Sequence, residues 1–284
     1  MLWKRARRSD NVVSGGSGGG RGGKGLTLGA VVLVVAFGLI TGQDPMQILG
    51  QLAGQLESPT TSSQRTPVAN DEQTDFVRAI LGDTEDTWRQ LFQQAGRQYQ
   101  DPTLVLFNAS VRSACGMASA ASGPFYCPAD RQVYLDVSFF RELAQRYAAA
   151  GDFAQAYVIA HEVGHHVQTL LGVSAKVQAA RQRGERMEGN NGLLVRQELQ
   201  ADCLAGVWAH HAQQRLDWLE AGDLQEALQA ASAIGDDRLQ QQSRGQVVPD
   251  AFTHGTSAQR VRWFKLGFEQ GKVNQCDTFK AARL

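Results

Sequence analysis

Two hydrophobic periods alternate along this chain, and the switch between them outlines its folded part. From Thr74 to Ala95 the apolar positions Phe76, Ile80, Trp88, Leu91, Phe92 and Ala95 recur at helical spacing, with Gly82 as a point where one helix could become two. "TLVLFNAS" from Thr103 is a strand candidate. "PFYCP" around Tyr126 and "QVYLD" from Gln132 to Asp136 read as two more short strands, joined by a turn at Pro128 to Arg131. After Asp136 the period becomes helical and stays so for most of the remaining chain. Asp136 is placed to cap a helix carrying Phe139, Phe140 and Leu143, and Asp152 to cap the next. A last helix, Ser257 to Gly267, offers Val261, Phe264 and Leu266 as its apolar face. The pattern predicts an α+β domain over residues 71–284, mainly helical, with a small antiparallel β-sheet.

Ahead of that domain the pattern is of another kind. Leu26 to Gly42, "LTLGAVVLVVAFGLITG", contains no charged residue. It lies at the short end of the roughly 17 to 25 residues that span a bilayer. Lys4, Arg5, Arg7, Arg8, Arg21 and Lys24 precede it with only Asp10 opposing, and Asp44 follows. The positive-inside rule then predicts a single-pass membrane protein, with residues 1–25 as a basic, Gly-rich cytoplasmic tail and residues 26–42 as one transmembrane helix. Residues 43–70 are then a Ser/Thr/Pro-rich linker, and the folded domain is expected in the periplasm or outside the cell. A cleaved signal peptide is the rival. The long basic region and the lack of a small-x-small cleavage site favour an uncleaved anchor.

Composition adds little to this picture. The formal net charge is zero, which gives no reason to expect a nucleic-acid partner. The four cysteines, Cys115, Cys127, Cys203 and Cys276, have no C-x-x-C spacing. An exported domain would hold them as two disulfides. Nothing in the sequence fixes the oligomeric state.

The chemistry is concentrated in "AYVIAHEVGHHVQTLLG", Ala156 to Gly172. On a helix His161 and His165 stand one turn apart on one face and can bind one ion, while Glu162 is near enough to reach a water on it. Zinc takes a third protein ligand and keeps one position open. The extension H-E-x-x-H-x-x-G-x-x-H fails, because Gln168 and Leu171 occupy its glycine and third histidine positions. "VRQELQADCLAGVWAHHA", Val195 to Ala212, offers Glu198 as the third ligand. Asp202, one turn on, can accept a hydrogen bond from the far nitrogen of a ligand histidine. Ala201, Ala205 and Gly206 would let this helix pack closely on the His161 helix. His210 and His211 are rival third ligands, and His166 points about 100° away from His165, to a structural or exposed position.

"HEVGHHVQ" and "ELQADCLAG" resemble the neutral zinc metallopeptidase family of membrane-anchored bacterial proteins. "SDN" at Ser9, "FYCPAD" from Phe125, "AIGDDRLQ" from Ala233 and "FTHGTSAQRVRWF" from Phe252 extend the resemblance over nearly the whole chain. The H-E-x-x-H…E-x-x-x-D pattern is that of the glutamate-type zincins. The resemblance implies a zincin-like fold, a Zn²⁺ ion held by His161, His165 and Glu198, Glu162 as general base and Asp202 as the orienting acid. It also implies a peptide or protein substrate.

The expected chemistry is peptide-bond hydrolysis by a zinc-activated water. His254, in "FTHGTS", is the first candidate for a catalytic oxyanion donor, with Tyr126 and Tyr134 as alternatives. The "QVYLD" strand is a candidate edge for an extended substrate. Pairing Cys115 with Cys127 would close a hairpin-sized loop, and Cys203 with Cys276 would tie the C-terminal segment to the Glu198 helix; three connectivities are formally possible. "GDDRLQ", Gly235 to Gln240, has no evident chemical task. The alternative reading is a catalytically inactive, zinc-containing binding or scaffold domain of the cell envelope.

Overall fold

The computed structural model describes residues 1–15 and 71–284, which belong to one compact unit. Helix α1 (Glu72–Gln94) is capped by Asp71, whose side chain accepts from Thr74 N at 2.7 Å. Strands β2 (Thr103–Phe107) and β6 (Gln132–Asp136) pair in parallel at the centre of a four-stranded sheet, between the edge strands β1 (Val12–Ser14), beside β2, and β5 (Phe125–Cys127), beside β6. Strand β5 (Phe125–Cys127) runs antiparallel to β6 and forms one edge. Strands β3 (Ser110–Ser113) and β4 (Gly116–Ser119) make a separate hairpin. Then follow α2 (Ser138–Gln145), α3 (Asp152–Leu170), α4 (Val173–Gln182), α5 (Leu193–Leu216), α6 (Asp223–Ala233), α7 (Asp236–Arg244) and α8 (Ser257–Gln270).

The other edge of the sheet comes from the far N-terminus. Strand β1 (Val12–Ser14) pairs in parallel with Leu104–Leu106 of β2. Ahead of it, Trp3 is buried edge-to-face on Phe76 of α1, with ring centroids 5.5 Å apart. The Met1 ammonium pairs with Asp152 at 3.0 Å and with Asp223 at 3.3 Å. Gly82 does not break α1. It admits the N-terminal arm, since a Cβ there would lie 2.4 Å from Arg7 O.

These contacts correct three expectations. The sheet is mixed, not antiparallel, because β1 and β6 both run parallel to β2. Residues 1–15 are not a separate tail but part of the domain. The membrane reading also fails, both as part of the fold and as a location. Among the described residues no helix is long and apolar enough to cross a membrane. The segment 26–42 lies outside the described residues, yet the chain on either side of it joins one sheet. A single crossing with the N-terminus on one face and the domain on the other would separate β1 from β2.

Two small residues set how closely the central helices approach. A Cβ on Gly164 of α3 would meet Ala201 O of α5 at 2.9 Å. A Cβ on Gly206 of α5 would meet Phe264 O of α8 at 2.1 Å. Ala201 therefore faces the His161 helix as expected, whereas Gly206 serves α8 instead. The disulfides join Cys115 to Cys127 and Cys203 to Cys276.

Candidate metal centre

Helix α3 runs through the core, and its third and fourth turns carry the H-E-x-x-H residues. Its first turn is held from outside. Glu226 of α6 accepts from Phe153 N at 3.1 Å, while Asp152, the expected cap, is taken up by the Met1 ammonium. Ahead of the preceding helix the N-cap is Val137, and Asp136, one residue earlier, accepts from Ser138 N at 2.9 Å.

His161, His165 and Glu198 converge, with one potential ligand atom from each lying within 4.8 Å of the others. His161 Nε2 is 3.2 Å from Glu198 Oε2, and His165 Nε2 is 3.5 Å from Glu198 Oε1. Tetrahedral zinc with bonds near 2.0–2.1 Å places its ligand atoms about 3.3 Å apart, so the donor set fits that ion in chemistry and the two histidine–glutamate distances match its spacing. The field at this point favours a cation. Burial alone would lower the His161 pKa, but the Asp202 and Glu198 carboxylates raise it to about 10. Glu198 is held well below the usual carboxylate range by the two imidazoles, against the opposing effect of burial.

The supporting groups differ for the two histidines. His161 Nδ1 donates to Asp202 Oδ1 at 2.8 Å. Asp202 is fully buried and also binds the Arg260 guanidinium, from Nε to Oδ2 and from Nη2 to Oδ1, both at 2.9 Å. Tyr157 Oη, one turn before His161, completes the cluster by donating to Asp202 Oδ1 at 2.5 Å. His165 Nδ1 is 2.9 Å from Gln168 Oε1. Among the described residues none hydrogen-bonds the Glu162 carboxylate, which lines the same cleft of about 610 Å³.

His254 also lines this cleft. Its loop is built on Asp236, the residue of "GDDRLQ" that the sequence left without a task. Asp236 Oδ2 accepts from the backbone N–H groups of Thr253, His254 and Gly255 at 2.7, 2.6 and 3.0 Å. Asp236 Oδ1 lies 3.3 Å from His254 Nδ1. Asp237 takes the next step, accepting from Ser257 N and Ser257 Oγ, both at 2.8 Å. Burial would lower the His254 pKa, but Asp236 and the charge of Glu198 raise it.

Other expectations are redirected. Tyr134 donates to Asp130 at 2.8 Å, outside the cleft. Tyr126 does line the cleft, but its hydroxyl faces His166 Nδ1 at 3.1 Å. His166 Nε2 lies 2.6 Å from the Gln100 carbonyl, so Nε2 carries the proton and the Tyr126 hydroxyl donates to Nδ1. Tyr126 therefore has no proton left for a substrate. His166 is structural and fully buried. His210 and His211 hydrogen-bond to the carbonyls of Phe268 and Gly271, at 2.7 and 2.9 Å, and stand apart from the convergent ligands. "QVYLD" is an inner strand, flanked by β2 and β5, so the open edge beside the cleft belongs to Phe125–Cys127. A second group of carboxylates, Asp152, Asp223 and Glu226, is also close enough for an ion, but the Met1 ammonium already bonds to Asp152 and Asp223.

Arg260, Gln168, Tyr157 and Asp236 were not singled out as site residues by the sequence. Arg260 left a trace. It lies one turn before Phe264, and the buried face of α8 is Arg260, Trp263, Phe264 and Gly267, not Val261 and Leu266. A charged residue in phase with an apolar face marks a buried, paired charge.

The chain is 50% identical to the uncharacterized protein YpfJ of Escherichia coli K12 over 286 residues, covering 98% of this chain and 99% of that one. It is 47% identical to the uncharacterized protein Mb2605 of Mycobacterium bovis over 196 residues, covering 66% of this chain and 65% of that one. No solved structure matches it. A family profile described as "Putative neutral zinc metallopeptidase" matches residues 1–279, and the chain belongs to that family.

Proposed function

We propose that this chain is a zinc-dependent endopeptidase whose reaction centre is the cleft over His161, Glu162, His165 and Glu198. One observation carries the reading. Two imidazoles and a carboxylate converge beside a buried carboxylate, Glu162, that no side chain among the described residues hydrogen-bonds. His161, His165 and Glu198 would hold the zinc, which when bound lowers the pKa of a water and polarises a substrate carbonyl.

The protein's own groups do the rest. Glu162 takes the proton of the attacking water and passes it to the departing amine. Asp202 and Gln168 hold the two imidazoles with their Nδ1 protons turned away from the centre. His254 lines the cleft with Nδ1 engaged by Asp236 and Thr253 Oγ1, which leaves Nε2 for a substrate. In that arrangement it donates to an oxyanion only as imidazolium, the form Asp236 favours. An extended peptide pairs with the open edge of β5, beside Phe125 and Tyr126.

The test is made on the full chain. Zinc content is measured by elemental mass spectrometry, and hydrolysis is followed on a mixed peptide library by mass spectrometry, for the wild type and Glu162→Gln. One zinc per chain in both, with cleavage lost roughly 10²- to 10⁴-fold in the variant, is the expected result. Zinc in both with equal cleavage would remove Glu162 from the reaction. Zinc without cleavage in either would leave a binding domain, and a folded chain without zinc would end the proposal.

A further inference from the structure

We infer that Gln168 is a positioning residue for His165, which it orients through a one-way chain of hydrogen bonds ending on the disulfide-fastened C-terminal segment. This rests on the reading of His165 as a metal ligand.

Gln168 lies three residues after His165 on α3 and is fully buried. A buried carboxamide must place two hydrogens and an oxygen, and here the neighbours dictate which end goes where. Gln168 Nε2 lies 2.7 Å from Gln197 O and 3.1 Å from Gln200 Oε1. Gln197 O is a backbone carbonyl and can only accept, so the NH₂ end must face it. Flipping the amide would set two oxygens 2.7 Å apart. Gln168 Oε1 is thereby left to face His165 Nδ1 at 2.9 Å, as acceptor. His165 is then protonated at Nδ1 and presents the Nε2 lone pair toward Glu198.

The same logic repeats one residue further out. Gln200 Nε2 donates to the Cys276 carbonyl at 2.9 Å, which turns its Oε1 back to Gln168. Three hydrogen bonds thus run in one direction, from His165 to Gln168, to Gln200, to Cys276 O. Bonds in such a series polarise one another. The end of the series is anchored, because Cys276 is joined by a disulfide to Cys203, on the same helix as Gln200 and next to Asp202. Gln168 has a second effect. Gln197 immediately precedes Glu198, so the bond to Gln197 O fixes the Glu198 helix against the His165 helix. His161 relies on a charged partner shared with Arg260; His165 relies on this neutral relay.

The test uses zinc alone as the probe. Its dissociation constant is measured on the full chain by competition with a chromogenic chelator, for the wild type, Gln168→Met, Gln200→Met and Gln168→Glu. Methionine keeps the length of the side chain and removes both polar ends. The expected result is zinc bound about 10- to 100-fold more weakly by Gln168→Met. Gln200→Met should lose less, and Gln168→Glu, which keeps an acceptor for His165, should recover part of the loss. An unchanged dissociation constant in folded, disulfide-intact Gln168→Met overturns the inference. If that variant does not fold, Gln200→Met decides: weaker binding supports the relay, equal binding overturns it. Failure of the wild type to bind zinc would remove the peptidase reading and this inference together. Equal affinities in a wild type that does bind zinc would remove this inference alone.

Discussion

Arg260 and Asp202 form a fully buried, two-point ion pair, and the same carboxylate orients His161. Neither charge can be removed singly without leaving the other uncompensated. Asp202→Asn should destabilise the fold by about 3–5 kcal/mol and weaken zinc binding. Replacing the pair together, with Asp202→Leu and Arg260→Met, should cost the fold less while still weakening the zinc site. Urea unfolding and zinc titration of the wild type and both variants would check this. A double variant less stable than Asp202→Asn would count against it.

Gly164 is a point of close approach between the two helices that carry the proposed ligands. Its Cβ position meets Ala201 Cα at 3.1 Å as well as Ala201 O. Gly164→Ala should push α5 away from α3, cost about 1–3 kcal/mol and reduce zinc occupancy. Thermal melting with and without added zinc gives both numbers. A variant as stable as wild type with full zinc would show that the helices can part without harm.

Asp236 holds the His254 loop by three backbone hydrogen bonds. Burial would raise its pKa, but His254 and the backbone donors lower it from the ordinary 3.8. A carboxyl with a depressed folded-state pKa gives stability that is present above its unfolded value and lost as pH falls through the folded one. Asp236→Asn should therefore lower stability at neutral pH and flatten the loss of stability below pH 3.8. Asp236→Ala should cost about 1–3 kcal/mol and reduce kcat/KM with little change in zinc content. Unfolding measured across the acid range, with peptide assays at neutral pH, would test both.

The N-terminal arm should be needed for stability. Trp3→Ala should cost about 3–5 kcal/mol, as for other buried tryptophans. A chain beginning at Asp71 loses β1 as well and should be less stable than that variant. Denaturation midpoints of the three chains decide; equal midpoints would mean that the arm contributes nothing.

The residues that converge were legible because their spacing is a property of single helices. His161 and His165, or Glu198 and Asp202, share a face wherever those helices go. Sequence could not show that Arg260 would reach Asp202, or that Asp236 would reach the loop at 253–255, because those pairings depend on how α5, α7 and α8 cross. The strand Val12–Ser14 escaped notice because three residues between a basic and a glycine-rich stretch carry almost no periodic signal. The apolar run at 26–42 then drew all the meaning from its surroundings. Tyr126 was misjudged for a different reason, since its hydroxyl proton is committed by a hydrogen bond on the far side of His166.

The pairing of residues 12–14 with residues 104–106 also sets an order of events in folding. β1 leaves the ribosome long before its partner and has nothing to pair with in the meantime. The outer edge of β2 stays an open template until the arm returns to it from far along the sequence, which is the slow kind of closure. During that interval the edge can accept any extended segment, including one from another chain. The arm therefore acts as a built-in edge guard, and the newly made protein is most exposed to misassociation before its first fifteen residues come home.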